Sequence, residues 1–221
     1  MICSPRVEYF NAQSGQDRYL YQQFFSSKCR NGSFVEFGAR DGIRHSNTYF
    51  FEKALYWRGL LFEADRREYN TLKQNRPASI VFNGAVCPKT QKFINLSISL
   101  NLGWSGMEDT YTQKRRSTLY TRDVVRCYNL ATKLKKFNME HVDLMTIDTE
   151  GSEYTIISSF PWKHFDIQVV MIESLNENTY PSQYGNRHNI IQFMQKNCYK
   201  LYNTWVVAPS DTDDLIFTKV C

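Results

Sequence analysis

The sequence predicts an α/β fold with a doubly wound, mostly parallel sheet and an antiparallel C-terminal strand. Short apolar β-type runs alternate with helix-type windows along most of the chain, a spacing typical of parallel sheets covered by helices on both faces. The clearest buried strands, VDLMTID and IQVVMIE, flank the helical stretch SEYTIISSF. The last two runs, YKLYN and DLIFTK, follow each other closely enough to pair as an antiparallel hairpin.

The individual elements can be placed in order along the chain. A first helix is predicted in SGQDRYLYQQFFSSK, with Ser14 as its cap, and Asp65 is predicted to cap the helix DRREYNTLKQN. The remaining predicted elements are the strand SFVEF, the helix NTYFFEKAL, the strands at 59–63, 78–86 and 122–128, and the helices NLATKLKKF and RHNIIQFMQKN. All of them together fit one α/β domain spanning residues 1–221, a size that can bury a sizeable core.

One stretch, at about 91–119, lacks clear periodicity because serine, asparagine, glycine and aromatic residues are mixed in it. We predict an irregular insert there, since loops of this length are usually functional or mobile. Trp104, in LGWSGMED, is a candidate lid over a site, and packing of its ring on the insert is the alternative.

Composition limits the class and location of the protein. Hydrophobic residues make up 42% and aromatics 15%, as expected for a globular chain. The apolar runs are too short to cross a bilayer, and the N-terminal residues lack the apolar core of a secretory signal, so we expect a cytoplasmic protein with no membrane span. Six cysteines without a CxxC pair favour free thiols in a reducing compartment over a disulfide framework, with one bridge left open.

The net charge is +5 and the sequence pI is about 8.8. A mildly basic balance favours anionic partners such as RNA, phosphosugars or membrane surfaces only weakly, and a solvated surface is the favoured explanation. The densest basic cluster, Lys114, Arg115 and Arg116, is a candidate substrate loop.

Four predicted strands end in an acidic residue. These residues are Glu36, Glu63, Asp148 and Glu173. In a doubly wound sheet the ligand lies outside the carboxyl ends of the strands, where four acids would be costly unless a ligand or a metal uses them. The carboxyl edge is therefore the predicted site.

The loop after the first strand, GARDG, carries Gly38 and Gly42, which allow the backbone to approach a ligand closely. Free amide donors are expected near Ser46 and Asn47, where the next helix begins. The NAD fingerprint GxGxxG is absent from this loop. The spacing ExGxxxG, from Glu36 to Gly42, instead resembles motif I of class I S-adenosylmethionine methyltransferases.

A wider resemblance covers roughly residues 14–219. The blocks GQDRYLYQQFF, FVEFGARDGIRHSNTYFFEK, WRGLLFEAD, NRP, GAVC, SGMED, VDLMTIDTEGSEYTII and VVMIES occur in the order seen in FkbM-like methyltransferases, and IDTEGSE is similar to the DVEGxE of that family. Arg40 in the loop, and Ala64–Asp65 where PNP is common, depart from the family pattern. The resemblance implies a Rossmann-like domain that methylates oxygen atoms of sugars, glycans or other small acceptors.

The resemblance also implies roles for individual residues. Glu36, Gly38 and Gly42 would bind the methionine part of S-adenosyl-L-methionine, and Glu63 would bind its ribose. The full set of candidate cofactor-binding residues is Glu36, Gly38, Ala39, Asp41, Gly42, Asn47, Glu63, Ala64, Gly84, Ala85 and Asp148.

Asp148, Glu150 and Glu173 are the candidate catalytic residues. By the predicted topology they lie at the ends of adjacent strands, where they can act as a base on a hydroxyl acceptor or together hold Mg²⁺. The alternative for Asp148 is a structural cap on a helix starting at Ser152, and for the two glutamates a solvated strand-end carboxylate.

The four histidines, at 45, 141, 164 and 188, have no ligand spacing, and His45 alone lies in the cofactor loop. Two alternative functions stay open. An RNA ribose 2′-O-methyltransferase needs a Lys-Asp-Lys-Glu tetrad, and no glutamate follows Glu177 to complete one after Lys196 or Lys200. A catalytically silent interaction domain would keep the fold alone, although the acids at 36, 63 and 148 argue against it.

Overall fold

The structure is a computed structural model that describes residues 7–100, 105–107, 119–175, 187–206 and 212–221. It is the predicted α/β fold, of Rossmann-like topology, with a mostly parallel sheet. Seven strands form the main sheet in the order β10-β11-β9-β8-β1-β2-β3. Their bounds are Ser33–Phe37 (β1), Arg58–Glu63 (β2), Ile80–Asn83 (β3), His141–Ile147 (β8), Asp166–Leu175 (β9), Tyr199–Val206 (β10) and Thr212–Lys219 (β11).

The pairing of these strands is parallel from β3 to β9 and antiparallel beyond β9. β1 lies between β2 and β8, and each neighbour runs in the same direction as β1. β11 pairs antiparallel with both β9 and β10, which confirms the predicted C-terminal hairpin. Because β1 continues to β2 on one side and neighbours the later β8 on the other, the topological switch point lies between β1 and β8.

Helices cover both faces of the sheet. They are Gln16–Leu20 (α1), Tyr49–Leu55 (α2), Arg66–Asn75 (α3), Leu130–Lys136 (α4), Glu153–Ser159 (α5) and Arg187–Lys196 (α6), and a π-helical turn at Tyr21–Phe25 continues α1. Residues of α1, α2 and α3 pack with Phe34 on one face, while residues of α4, α5 and α6 pack with Val35 and Phe37 on the other. This alternation along β1 follows from the two-residue period of a strand buried on both faces.

A smaller sheet, in the order β4-β7-β5-β6, lies beside the carboxyl ends of β2 and β3. Its strands are Ala85–Val86 (β4), Phe93–Ser99 (β5), Gly106–Met107 (β6) and Leu119–Tyr128 (β7). The prediction of an irregular insert at 91–119 is therefore wrong for β5, where buried Ile94, Leu96 and Ile98 alternate with polar residues. The interspersed serine and asparagine residues hid this two-residue period.

The single strand predicted at 78–86 is two strands in different sheets. The break falls at Gly84, whose φ of +151° suits glycine, and a Cβ there would lie 2.3 Å from the carbonyl oxygen of Arg126. The chain therefore leaves the main sheet after Asn83 and joins β7 through β4.

Of the two predicted helix caps, one is confirmed and the other is wrong. Asp65 caps α3 by accepting a hydrogen bond from the N–H of Arg67 at 2.9 Å, as predicted. The prediction that Ser14 caps the first helix is wrong, because α1 begins after Gly15, which has a left-handed conformation and makes no side-chain cap.

Disulfides correct the prediction of free thiols. Cys87 is bonded to Cys127 across β4 and β7, and Cys198 is bonded to Cys221 at the open end of the β10–β11 hairpin. Strand pairing brings together cysteines that are 40 and 23 residues apart, a proximity that sequence spacing does not reveal. Since disulfides persist mainly in oxidising compartments, they count against the cytoplasmic location expected from composition. None of the helices in the described ranges is long and apolar enough to cross a membrane.

Candidate active site

The carboxyl ends of β1, β2, β8 and β9 meet at one edge of the sheet and surround a cavity of about 680 Å³. Glu36 and Glu63 lie in the final residues of β1 and β2, Asp148 directly follows β8, and Glu173 lies near the end of β9. All four strand-end acids line this cavity, as the topology predicted.

The loop after β1 passes close to the end of β8. Gly38 has a φ of +70°, and a Cβ at this position would lie 1.8 Å from the carbonyl oxygen of Asp148. Gly42 has a φ of +80°, and its Cβ would meet Leu72 and Arg76. Both positions therefore require glycine, one for the contact with β8 and the other for the contact with α3.

Glu36 lines the cavity, but its carboxylate is bound by the loop. It accepts hydrogen bonds from the hydroxyls of Ser46 at 2.9 Å and Thr48 at 2.6 Å, and from the N–H of Asn47 at 2.8 Å. Burial raises the pKa of the Glu36 carboxyl, opposed by the Arg76 guanidinium and by these hydrogen bonds. The carboxylate thus joins the end of β1 to the start of α2.

Arg76, at the C-terminal end of α3, is fully buried beneath the loop. Its guanidinium lies 2.8 Å from the carboxylate of Glu52 and 3.9 Å from that of Glu36. It also donates to the carbonyl oxygen of Gly42 at 2.9 Å and to the hydroxyl of Ser46 at 3.2 Å. One buried cation therefore fixes both ends of the loop at once.

Glu63 is buried at the end of β2, where each carboxylate oxygen holds a backbone amide. Oε2 accepts from the N–H of Arg40 at 2.8 Å and Oε1 from the N–H of Asp65 at 2.7 Å. Burial raises the pKa of this carboxyl to about 7, although the two amides lower it. The glutamate thereby connects the loop after β1 to the cap of α3.

An apolar wall lies beside Glu63 and is formed mainly by the smaller sheet. It consists of Ala64, Ala85, Val86, Ile94, Leu96 and Met107. The disulfide Cys87–Cys127 holds β4, which carries two of these residues, against β7. Ser105 closes this side by donating to the Asp65 carboxylate at 2.9 Å.

Asp148, Glu150 and Glu173 form a carboxylate cluster on the other side of the cavity. Each offers an oxygen atom within 4.8 Å of the others, and each side chain is half-buried. Glu150 has a left-handed backbone, with a φ of +58°, in the turn between β8 and α5.

The turn that carries Glu150 is held by Glu153. The carboxylate of Glu153 accepts hydrogen bonds from the N–H of Thr149 at 2.8 Å and the N–H of Gly151 at 3.1 Å. The residue before α5, Ser152, makes no side-chain cap. Glu153 thereby shapes the turn between β8 and α5, and Asp148 lines the cavity.

The solvent-facing side of the cavity is basic. Arg40, Arg44 and His45 line it, and Arg44 and His45 are exposed. Gln13, from the segment before α1, completes the lining on this side.

The structure brings together most of the candidate site residues. Those that line the cavity are Glu36, Gly38, Asn47, Glu63, Ala64, Gly84, Ala85, Asp148, Glu150 and Glu173. Three others do not line it. Ala39 is buried, Asp41 accepts from the N–H groups of Ile43 and Arg44 to shape the loop, and Gly42 packs against α3.

Sequence reasoning did not find Arg76, Gln13 or Arg44. Arg76 lies in the NRP block, but no pattern distinguishes a buried arginine from an exposed one. The candidate lid residue Trp104 and the basic cluster Lys114, Arg115 and Arg116 lie outside the described residues.

Comparison with known proteins agrees with this geometry. The family model for the methyltransferase FkbM domain matches residues 36–201, which span the chain from the end of β1 into β10. No curated protein matches the chain as a relative.

Solved structures share the fold at low identity. Aeropyrum pernix fibrillarin, solved with bound S-adenosyl-L-methionine, has a TM-score of 0.53 at 10% identity. The match covers 95% of this chain and 76% of the fibrillarin chain. TrmK of M. capricolum, solved with S-adenosyl-homocysteine, has a TM-score of 0.52 at 10% identity, covering 92% and 67%. A protein of the NADB-Rossmann superfamily from Streptococcus agalactiae has a TM-score of 0.50 at 10% identity, covering 94% and 68%.

A Rossmann-like sheet with a cavity at the switch point, matched by this family model, defines a methyltransferase that depends on S-adenosylmethionine. The chain belongs to the FkbM methyltransferase family.

Proposed function

We propose that this chain transfers the methyl group of S-adenosylmethionine to a hydroxyl oxygen of a sugar, a glycan or another small acceptor. One observation carries the proposal: a single cavity joins the buried carboxylate of Glu63 to the carboxylate cluster of Asp148, Glu150 and Glu173. The first can hold a donor and the second can accept a proton. We further infer that residues 1–221 form one catalytic domain, since both parts of the cavity belong to the same sheet.

The residues beside Glu63 fit the donor. A carboxylate has about four lone-pair positions, so Glu63 can hold the amides of Arg40 and Asp65 and still accept from ribose hydroxyls. The apolar wall of the smaller sheet offers a surface for the adenine ring, and Gly38 allows the methionine part to approach the backbone.

Glu36 and Arg76 act through the loop in this proposal. Since loop groups already bind the Glu36 carboxylate, its contribution to donor binding is to hold the loop in position. Arg76 secures the same loop from below through Gly42 and Ser46. The loop is thus ordered before the donor arrives, which reduces the entropy lost on binding.

Bound S-adenosylmethionine supplies an electrophilic methyl group on a sulfonium. The acceptor hydroxyl must be held in line with the methyl–sulfur bond while its proton is removed. The carboxylate cluster is suited to take this proton, because protonating one of three acids within 4.8 Å relieves their mutual repulsion. The acceptor oxygen gains the bond to carbon, the carbon–sulfur bond breaks, and sulfur leaves as a neutral thioether.

The metal-free version of this mechanism is the one that we propose. Opposite ligands of Mg²⁺ lie about 4.2 Å apart, since each is about 2.1 Å from the ion. The three oxygen atoms of the cluster lie within 4.8 Å of one another, so the carboxylates would also fit as ligands of such an ion, although removal of a proton by a carboxylate does not require one. Activity retained in the presence of a chelator would support the metal-free version. Activity that depends on added Mg²⁺ would support the version in which the three carboxylates hold the ion.

The RNA methyltransferase alternative has less support. Lys196 lies in the last turn of α6 and Lys200 in β10, and neither is among the described residues that line the cavity. The silent-domain alternative predicts that donor binding is absent, although the glycines and acids of the site are intact.

The direct experiment is an assay with isotopically labelled S-adenosylmethionine and a panel of sugars, glycans and RNA, with and without a chelator. We expect label in a hydroxyl-bearing small acceptor or glycan, and loss of transfer in Asp148→Asn. Transfer to RNA alone would favour the first alternative, and donor binding without transfer to any acceptor would weaken the proposed activity.

A further inference from the structure

Three donor side chains are grouped on the solvent-facing side of the cavity. Arg40, Arg44 and His45 all come from the loop between β1 and α2, and all three line the cavity. The carboxylate cluster lies among the other lining residues, so the cavity combines an acidic part with a basic edge. The mechanism above uses the acids and leaves the basic edge without a role.

Two of the three residues hold backbone conformations that are unfavourable for their side chains. Arg40 has a φ of +50° and His45 a φ of +64°, in the left-handed region. Such residues persist only where their surroundings hold them, and they concentrate at functional sites.

The surroundings of the two residues account for these conformations. The N–H of Arg40 is held by Glu63 at 2.8 Å. His45 forms a β-bridge with Ala12, whose own N–H is held by the buried Asp17 at 3.1 Å. The basic side chains are therefore carried on a fixed segment of backbone.

The contact between Arg40 and His45 defines which histidine nitrogen carries the proton. Nη1 of Arg40 lies 2.9 Å from Nδ1 of His45. A guanidinium can only donate, so Nδ1 accepts and the proton of the neutral ring is on Nε2. Burial lowers the pKa of His45, and the neighbouring Arg40 and Arg44 lower it further, so the ring is neutral at pH 7.

The charges facing this group come from more than one element. Glu68 of α3 lies 3.9 Å from Nε of Arg40, and Asp41 lies in the same loop. Glu68 and Asp41 thus offset part of the positive charge of Arg40 and Arg44, while the Nε2–H of His45 and the exposed Arg44 guanidinium lie at the solvent side. All three side chains donate hydrogen bonds, and a group that only accepts them is the chemical match.

We propose that Arg40, Arg44 and His45 form an anion-binding site that holds a carboxylate, phosphate or sulfate group of a reactant at the cavity edge. The inference rests on the proposed function, because it assigns the anion to one of the two reactants. The anion is either the carboxylate of the donor's methionine part or an acidic group on the acceptor.

The test uses two variants and one control. Arg44→Gln removes an exposed charge, and His45→Gly removes the side-chain donor while keeping a residue that tolerates a positive φ. Arg58→Gln is the matched control, because it removes a charge at the amino end of β2, at the opposite edge of the sheet. The wild type, the two variants and the control are each titrated calorimetrically with S-adenosylhomocysteine and with methylthioadenosine, which lacks the amino-acid part.

The two sources of the anion give different results. If the donor carboxylate is bound, both variants weaken S-adenosylhomocysteine binding by about tenfold or more and leave methylthioadenosine binding unchanged. If the acceptor supplies the anion, both nucleosides bind normally, but inorganic phosphate binds to the loaded wild-type and control proteins and not to the variants.

The inference is overturned if the variants match the wild type for both nucleosides and for phosphate. Failure of the proposed function looks different, because the wild type itself would then not bind S-adenosylhomocysteine. In that case phosphate is titrated into the free protein. Binding that is lost in Arg44→Gln still supports the anion site, and equal or absent binding in both proteins overturns it.

Discussion

Arg76 and Glu52 form an ion pair of 2.8 Å between α3 and α2, and both side chains are buried. Ser79 also donates to this carboxylate. Because the same guanidinium reaches Glu36 and the carbonyl of Gly42, one residue connects two helices, a strand end and the donor loop.

Replacing Arg76 with Met is expected to lower the free energy of unfolding by about 3–5 kcal/mol, the range for breaking a buried pair from one side. The loss arises because Glu36 loses its buried cation and Glu52 keeps only Lys53, 3.4 Å away. Lys73→Met, an exposed change on the same helix, is the control and should stay within about 0.5 kcal/mol. Urea unfolding curves measure both, and a loss below 1 kcal/mol for Arg76→Met would show that the pair is not important for stability.

The stability of the ligand-free protein is expected to fall as the pH rises from about 4.5 to about 7. Burial raises the pKa of Glu63 to about 7 from its ordinary value of 4.5, so in this range the folded protein keeps a proton that the unfolded chain releases. The Glu63 proton therefore stabilises the folded state fully below about pH 4.5, and this stabilisation is lost as the pH rises through about 7. Asp214, whose pKa burial raises to about 6, contributes in the same direction.

Glu63→Gln should flatten this pH dependence because the amide does not titrate. At about 1.4 kcal/mol per pKa unit, Glu63 contributes on the order of 3 kcal/mol to the change in the free energy of unfolding over this pH range. Thermal unfolding of both proteins at several pH values measures it. Parallel profiles for the two proteins would mean that the Glu63 carboxyl is not perturbed.

Asp148→Asn is expected to lower turnover by about 10²–10⁴, the usual range for general acid–base catalysis. Donor affinity and thermal stability should change little, because Glu153 holds the turn after β8. Asp123→Asn, an exposed change on β7, is the control. An Asp148→Asn protein that unfolds easily, while its folded fraction is fully active, would instead assign a structural role to Asp148.

The disulfide Cys87–Cys127 is expected to support the apolar wall of the cavity. Replacing both cysteines with Ser removes the link between β4 and β7 and should cost about 3–4 kcal/mol of stability for a loop of this length, with weaker donor binding. The matched control replaces Cys198 and Cys221 with Ser. That bridge closes the C-terminal hairpin, so its loss should destabilise the protein and leave donor affinity unchanged. Equal donor affinity in both double variants would contradict a role for the first bridge.

The sequence was sufficient to predict the order and type of most main-sheet elements, because β1, β8 and β9 are apolar runs bounded by turn residues. It also predicted that acids would meet at the carboxyl edge, since parallel strands place their ends together. The paired smaller sheet and the disulfides were missed. Both depend on contacts between distant segments, such as Ala85 with Cys127, that leave no local pattern.

Within the site, the chain positions of the acids were predictable and their environments were not. Glu36 and Glu63 occupy equivalent strand ends, yet the first is bound by loop side chains and the second by backbone amides. Arg76 causes much of this difference, and it is 40 residues from Glu36 in sequence. The distinction between a residue that holds the loop and one that faces a donor therefore requires the three-dimensional structure.

Calorimetric titration with S-adenosylmethionine tests the central claim most directly. We predict that the wild type and the exposed control Glu140→Ala bind one donor per chain with equal affinity. Glu63→Ala should weaken binding by about 1–3 kcal/mol, the range for hydrogen bonds to a charged group. Failure of the wild type to bind the donor, or an unchanged Kd in Glu63→Ala, would contradict the assignment of this cavity.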